Sequence, residues 1–425
     1  MTGAFSTIAI IGTGAAGLSC GYHLYKNFDI TVFEKNHYIG GHANTVTVEH
    51  NGETVQIDTA FVVFNNYAYP VFTRLLKELQ VSSLGCPMSF SFQIKPIGWE
   101  YLTRGLTYCF CDLKNLVNVR FLKMLFQMWR FHREITEVLR QDKYREYTTE
   151  QYVHEKGYGQ DFLNNFLLPL LAVTWSLPPK EMLAYPIFTL VQFLEDHGAL
   201  QGIFGRKRWM TIVDGSRSYV DKISAPFRDK VLLRCGVSKV SLQEAKAIVT
   251  DTQGQIRSFD KVIFACHADQ ALQILENPAP LHREILSKFR YQPTHVIVHT
   301  DPSVLPKNRK KWAGWNYLAE YEDNNNLLAS FTYYLNKLQK VSEKSDFFVT
   351  LNDTGKVDRN KVLKKCYYEH PVFDINAIKA QADLHKLNES GPAYFCGSYF
   401  KYGFHEDAFR SGLEVCKKIT GKPLY

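Results

Sequence analysis

The sequence predicts an α/β fold in which a doubly wound parallel-sheet domain is interleaved with a mixed α+β domain. Three observations carry this. A short apolar run, Thr7 to Ile11, leads into Gly12-Thr-Gly-Ala-Ala-Gly17 and then into helical spacing from Leu18 to Tyr25. A second strand pattern follows at Ile30 to Glu34. Helical patterns then dominate residues 76–210, and strands return from Lys230, so one domain is split along the chain by another. At 425 residues the chain is also too long for one ordinary core.

The later elements follow in order. Thr45 to Glu49 and Thr54 to Ile57 alternate around Asn51-Gly52, a strong hairpin signal. Tyr69 to Gln80 reads as a helix and Ser89 to Ile94 as a strand. Asn115 to Leu139 carries Val117, Phe121, Met124, Leu125, Met128, Ile135, Val138 and Leu139 at helical spacing, which predicts one long amphipathic helix. Helical patterns continue at Phe162–Leu171 and Ile187–Leu194. Strands are predicted at Val231–Cys235, Val237–Leu242, Ala247–Thr250 and Lys261–Cys266, then at His295–Thr300, Leu327–Thr332 and Phe347–Leu351. Ala393 to Gly397 is a last buried strand, and Ser411 to Ile419 a closing helix. The domains expected are 1–75, 211–275 and 385–425 for the dinucleotide fold, and 76–210 with 276–384 for the substrate side.

Composition narrows the class. Hydrophobic residues make up 45% and charged residues 22%, the balance of a core-forming globular chain. A net charge of +8 spread along the chain, with a single short run at Lys307, Arg309, Lys310 and Lys311, argues against nucleic-acid binding. Nine cysteines, with no CxxC pair (Cys109 and Cys111 stand one residue apart), indicate neither a disulfide framework nor a metal site. Reduced thiols fit a cytoplasmic setting. The apolar start, Ile8 to Cys20, is broken by three glycines and preceded by no Lys or Arg, so it reads as strand and turn rather than as a targeting segment. No stretch reaches the roughly 18 apolar residues that span a bilayer.

Gly12, Gly14 and Gly17 form GxGxxG, which identifies a Rossmann-like unit. The first glycine allows a tight turn, the second lets the backbone approach a pyrophosphate, and the third lets the helix pack on the strand. Ala15 and Ala16, inside the motif, then offer helix N–H groups to phosphates. Glu34 ends the second strand, about 20 residues on, where a carboxylate takes the adenosine ribose and disfavours a 2′-phosphate. Lys35 adjoins it. Gly40-Gly41 follows, a second glycine pair that NAD dehydrogenases do not need.

This pattern resembles the amine-oxidase-type FAD family, which includes monoamine oxidases, protoporphyrinogen oxidase and phytoene desaturases. The resemblance implies a glutathione-reductase-like architecture and non-covalent FAD; Cys396, close to the expected ring site, reads as a buried strand residue. The family usually carries Arg after the glycine pair, and this chain has His42. In the family the strand opening at Val237 contacts adenine. Gly397, Ser398 and the segment Gly403-Phe404-His405-Glu406-Asp407 look like the C-terminal flavin motif. The family often has Asp or Glu after the first of these glycines, so with Ser398 the ribitol contact is expected from Glu406, Asp407 or backbone. A closer likeness, over nearly the whole chain, rests on His42-Ala-Asn-Thr45, Asp58-Thr-Ala-Phe61 with Asn65, Ala172-Val-Thr-Trp-Ser176, Gly215-Ser-Arg-Ser-Tyr-Val220, Cys266-His-Ala-Asp-Gln270 and Gly403-Phe-His-Glu-Asp407. It is to the NAD/FAD-binding proteins associated with cyclopropane fatty-acyl phospholipid synthases.

The chemistry implied is hydride transfer between carbon and flavin N5 on an apolar, fatty-acyl or lipid-linked substrate. His42 and His405 are candidate catalytic residues, or else structural hydrogen-bonding ones. Trp175 is a substrate-cavity wall, or else a core aromatic. With no second GxGxxG for NADPH, electrons are expected from the substrate or a protein partner. The alternatives are a flavin amine oxidase, or a redox-neutral accessory flavoprotein beside a lipid-modifying methyltransferase. Arg120, Lys123, Arg130 and Arg133 among Phe121, Leu125, Met128 and Trp129 leave two readings for the 115–139 helix: a core-packed helix or one in peripheral contact with a membrane.

Overall fold

A computed structural model describes residues 6–103, 113–197, 209–321, 327–389 and 391–424. In chain order its principal elements begin with β1 (Thr7–Ile11), α1 (Ala15–Leu24), β2 (Asp29–Phe33), β3 (Thr45–His50), β4 (Glu53–Asp58) and α2 (Pro70–Glu78). The middle of the chain holds β5 (Phe90–Ile94), β6 (Trp99–Leu102), α3 (Val119–Glu134), α4 (Leu168–Trp175) and α5 (Ile187–Asp196). Then come β7 (Val231–Leu232), β8 (Val237–Leu242), β9 (Ala247–Asp251), β10 (Ile256–Phe259) and β11 (Lys261–Phe264). The chain closes with β12 (Arg290–His299), β13 (Trp315–Tyr321), β14 (Leu327–Tyr334), β15 (Phe348–Leu351), β16 (Val362–Val372), β17 (Ala393–Phe395) and α6 (His405–Thr420).

Five strands form an all-parallel sheet in the order β7-β2-β1-β11-β17. Such a sheet is covered on both faces, so its strands are continuous apolar runs. β1 shows this: Ile8 and Ile10 join one core, and Ala9 and Ile11 the other. α1 lies close because its inner residues are small, and it meets α6 at near backbone contact. A Cβ on Gly412 would stand 2.5 Å from the Ala16 carbonyl oxygen. β8, β9 and β10 form a separate antiparallel sheet.

The second large sheet has seven strands in the order β16-β12-β15-β14-β13-β5-β6. β5 and β6 come from the region read as a helical insertion, and β5 pairs in parallel with β13, Phe92 opposite Tyr317. α3 packs on this sheet through Phe121, which meets Trp99 and Tyr101 of β6, α4 meets β13, and α5 packs on the 3-10 stretch at Ile135–Arg140.

Several expectations are corrected. The long helix over 115–139 is three pieces: a 3-10 turn at Leu113–Leu116, α3, and a 3-10 stretch at Ile135–Arg140. Asn118 starts α3 as its N-cap, its side chain accepting from Phe121 N, which leaves residues 115–117 outside. Val117 is accordingly 82% exposed. The closing helix begins six residues earlier than its pattern suggested, at His405. β13 and β16 were not foreseen; β16 is a sheet-edge strand carrying Lys364, Lys365 and Glu369, and charged edges hide the alternation of a strand. The seven described cysteines are free thiols, and Cys109 and Cys111 lie outside the described residues. Among the described residues no helix is long and apolar enough to cross a membrane.

Candidate functional site

The site begins where β1 ends. Gly12 turns the chain at φ +106°, and a Cβ there would stand 2.6 Å from the Ala265 carbonyl oxygen, so only glycine fits. Gly17 packs on that turn: its Cβ would lie 1.9 Å from the Gly12 oxygen. Gly14 is different, because nothing lies within 4 Å of a Cβ built on it. Its backbone opens onto a cavity that Ala15 and Ala16 also line. No side chain caps α1 and no acidic residue occupies its first turn, so the positive end of the helix faces that space. Gly41 presses a second loop onto the first, with a Cβ position 3.0 Å from Gly14 Cα. Glu34 is 4% exposed and ties the turn down. One carboxylate oxygen accepts from Thr13 N at 3.0 Å and from the Thr13 hydroxyl, and the other from Asn36 N at 2.8 Å.

The cavity measures about 1760 Å³. A pocket for one small ligand holds roughly 300–1,000 Å³, so this one has room for a dinucleotide and a second ligand. Lys35, Gly40, Gly41, Gly236 and Val237 line it beside the glycine turn. A different set, Met128 and Phe131 of α3, Leu170, Leu171 and Trp175 of α4 and Phe193 of α5, makes an apolar wall.

His42 stands within a group that sequence reading did not assemble. Its ring centroid is 5.0 Å from that of Tyr368, 5.3 Å from His370 and 6.3 Å from His267. Its Nε2 donates to the Glu369 carbonyl oxygen at 3.2 Å, since a carbonyl only accepts, which leaves Nδ1 as the basic nitrogen. His267 stacks on Tyr291 at 4.2 Å, and His370 Nδ1 lies 2.9 Å from the Thr294 hydroxyl. Burial pushes His42 down to about 4, with Lys35 adding to the effect. Burial and then the neighbouring imidazoles push His267 and His370 down to about 3. All three line the cavity as neutral bases at pH 7. The signal for His267 was present in the sequence, because it follows β11 as the glycine turn follows β1, and parallel neighbours share one C-terminal edge. His370 and Tyr368 had none, since β16 was not recognised.

The C-terminal segment divides. Gly397, Ser398, Phe404 and His405 line the cavity, and Gly397 N donates to Ser411 Oγ at 2.9 Å. Glu406 and Asp407, expected on the ribitol side, do not line it. Glu406 accepts from Val71 N at 3.1 Å and Phe72 N at 2.9 Å, capping α2. Asp407 accepts from Tyr402 N at 3.1 Å and Phe404 N at 3.0 Å, and burial raises it to about 7. Both carboxylates are committed to backbone N–H groups, since buried N–H groups at a helix start require acceptors. His405 stacks on Phe61 at 4.0 Å, and its Nε2 is 2.6 Å from the Tyr219 hydroxyl. Trp175 donates through Nε1 to the Tyr402 carbonyl oxygen at 3.2 Å and packs on Phe193 at 4.5 Å, so it is both core aromatic and cavity wall. Cys396 is fully buried, 3.9 Å from the Cys20 sulfur, and does not line the cavity.

These residues fit FAD. Gly14 leaves open the space a Cβ would fill, and the uncapped α1 terminus supplies N–H groups for the diphosphate. Glu34 and Val237 line the same cavity where the adenosine half belongs. Gly397 and Ser398 line it at the edge of β17, where the ribitol side belongs.

Comparison with known proteins agrees with this geometry. The family described as "Flavin containing amine oxidoreductase" matches residues 15–420. No curated protein matches the chain. Among solved structures, putrescine oxidase bound to putrescine is 13% identical with a TM-score of 0.71, over 98% of this chain and 99% of that one. A CLA-producing fatty acid isomerase from P. acnes is 13% identical with a TM-score of 0.67, over 99% of each chain. Reduced UDP-galactopyranose mutase is 15% identical with a TM-score of 0.64, over 98% of this chain and 96% of that one. At these identities the structures share a fold. The match across residues 15–420 places the chain in the flavin-containing amine oxidoreductase family, as an FAD-dependent oxidoreductase.

Proposed function

We propose that the enzyme acts on an apolar, fatty-acyl or lipid-linked substrate. One observation carries this reading: among the described residues, those of α3, α4 and α5 that line the cavity include no carboxylate. Among the described residues, the acidic ones lining the cavity are Glu34, held in the glycine turn, and Glu369, beside His267 with Oε2 3.6 Å from Nδ1. A cationic amine would find no counter-charge along Met128, Phe131, Leu170 and Leu171, whereas an acyl chain would gain about 0.8 kcal/mol for each methylene it buries.

FAD, when bound, would supply the two-electron hydride chemistry. The chain's own residues do the rest. The apolar wall excludes water and orients the acyl chain. The imidazoles of His42, His267 and His370, which burial holds neutral, serve as hydrogen-bonding groups that orient the polar end of the substrate. Tyr219 and Phe61 hold His405, giving it a positioning role. A lipid-modifying methyltransferase is the partner class this reading favours, on the sequence likeness alone.

The test is anaerobic titration of the oxidised flavin band. Bleaching by a lipid extract and not by an amine panel is the expected outcome. Bleaching by amines alone would replace this reading with an amine oxidase. A yellow protein bleached by neither would move the flavin to a redox-neutral or accessory role. Leu170→Trp, which fills the apolar arm, is expected to shorten the acyl chains accepted while leaving the flavin band unchanged.

A further inference from the structure

α3 is apolar on two sides. Phe121, Met124, Met128 and Phe131 are buried, and Met128 and Phe131 line the cavity. On the other side Val119, Leu122, Phe126 and Trp129 recur three and four residues apart, so they share one face. They are 66%, 40%, 61% and 53% exposed. Leu116 and Val117, in the turn leading to the helix, are exposed as well. A surface helix of a soluble domain buries one apolar stripe and shows water a polar one. Scattered exposed apolar residues are ordinary; six within one turn and helix are a patch.

The patch has a basic border. Arg120, Lys123, Arg130 and Arg133 lie on the same helix, which has no acidic residue before Glu134. Arg120 pairs with Asp161 and Arg130 with Glu134. Arg133 lies over the Trp129 ring at 4.9 Å, and no ion pair to Lys123 or Arg133 occurs among the described residues. An apolar stripe containing Trp and edged by long cationic side chains matches the boundary of an anionic bilayer. Acyl chains receive the stripe there, Trp sits at headgroup level, and Lys and Arg reach up to phosphates. The net charge of +8 adds long-range attraction to such a surface.

We infer that the outer face of α3 docks the enzyme on an anionic lipid surface, with Phe126 and Trp129 inserted and Lys123 and Arg133 at the phosphates. The inner face of the same helix is a wall of the catalytic cavity, so docking sets that wall one helix diameter from the membrane. This goes beyond the substrate reading, because it needs the surface and not the reaction. Vesicle flotation reads the surface and flavin bleaching reads the cavity, so either can fail alone.

The experiment is flotation of the full-length, FAD-loaded protein with vesicles of phosphatidylcholine alone and of phosphatidylcholine mixed with phosphatidylglycerol. The expected result is binding to the anionic vesicles that weakens with salt. Phe126→Glu with Trp129→Glu should weaken it by about tenfold or more, with the flavin band and circular dichroism unchanged. Lys123→Glu with Arg133→Glu, a second pair of exposed positions, should do the same and abolish the preference for anionic lipid. Wild-type protein that stays out of the floating fraction at low salt would overturn the inference. So would binding that both paired variants retain. A dimer in sedimentation equilibrium that the Phe126 and Trp129 changes dissociate would assign the face to a second copy instead.

Discussion

At the scale of single residues, the glycines of the first turn do two separable jobs. Gly17 has a backbone oxygen 1.9 Å from its Cβ position, so Gly17→Ala must distort the turn and is expected to cost about 3 kcal/mol in chemical denaturation. Gly14 has no neighbour within 4 Å and a φ of −63° that any residue adopts. Gly14→Val is therefore expected to fold normally yet lose FAD affinity by about tenfold or more, read by equilibrium dialysis. Equal loss of stability in both variants would refute the distinction. The histidines predict a pH effect. Unfolded, they titrate near 6.5; folded, His42 does so at about 4 and His370 at about 3. Between these values the unfolded chain binds more protons, so their contribution is complete above 6.5 and is lost as pH falls. Asp407, held neutral to about 7, opposes this trend, because the folded chain keeps a proton the unfolded one releases. The drop in Tm between about pH 7 and pH 5 should thus be smaller in His370→Gln than in the parent protein; identical drops would show that burial does not hold His370 neutral.

At the scale of elements, α6 and α2 are joined through Glu406, whose carboxylate takes the first N–H groups of α2. Glu406→Ala would orphan two donors, one of them buried, at a cost of about 1–3 kcal/mol. Because Glu406 does not line the cavity, FAD affinity at a temperature where the variant is folded should be unchanged. A selective loss of FAD binding would restore a cofactor role. The same elements show where periodicity stops being informative. The apolar spacing of 115–139 announces a helix, but Asn118 decides where it starts, and spacing alone does not say which of two apolar faces of α3 turns inward.

At the scale of the whole molecule, one cavity spans both sheets. Its glycine end comes from the parallel sheet and its histidines from the loop after β2, the end of β11 and the edge strand β16. Its apolar wall comes from helices between them in sequence. Narrowing that wall at Leu170 and docking its outer face at Phe126 and Trp129 are independent changes, so chain-length selectivity and vesicle binding should separate in the corresponding variants. Retained vesicle binding in Leu170→Trp, measured beside its altered chain-length profile, is the expected combination.

What the sequence by itself determined is local. β1, the GxGxxG turn, the Asn51-Gly52 hairpin and the Gly40-Gly41 loop are encoded within a few consecutive residues, because tight turns, close backbone approach and buried parallel strands each demand particular residue types at adjacent positions. That was enough for the fold class and, through the family resemblance these residues carry, for the expectation of FAD. Only the tertiary structure decided the grouping of His42, His267 and His370, whose sequence separations carry no periodic signal. It alone committed the Glu406 and Asp407 carboxylates to backbone N–H groups outside the cavity and left one apolar face of α3 in water. Each of these depends on which surfaces meet across sheets far apart in the chain, and burial, which sets both the chemistry of an imidazole and the use of a carboxylate, is a property of that meeting.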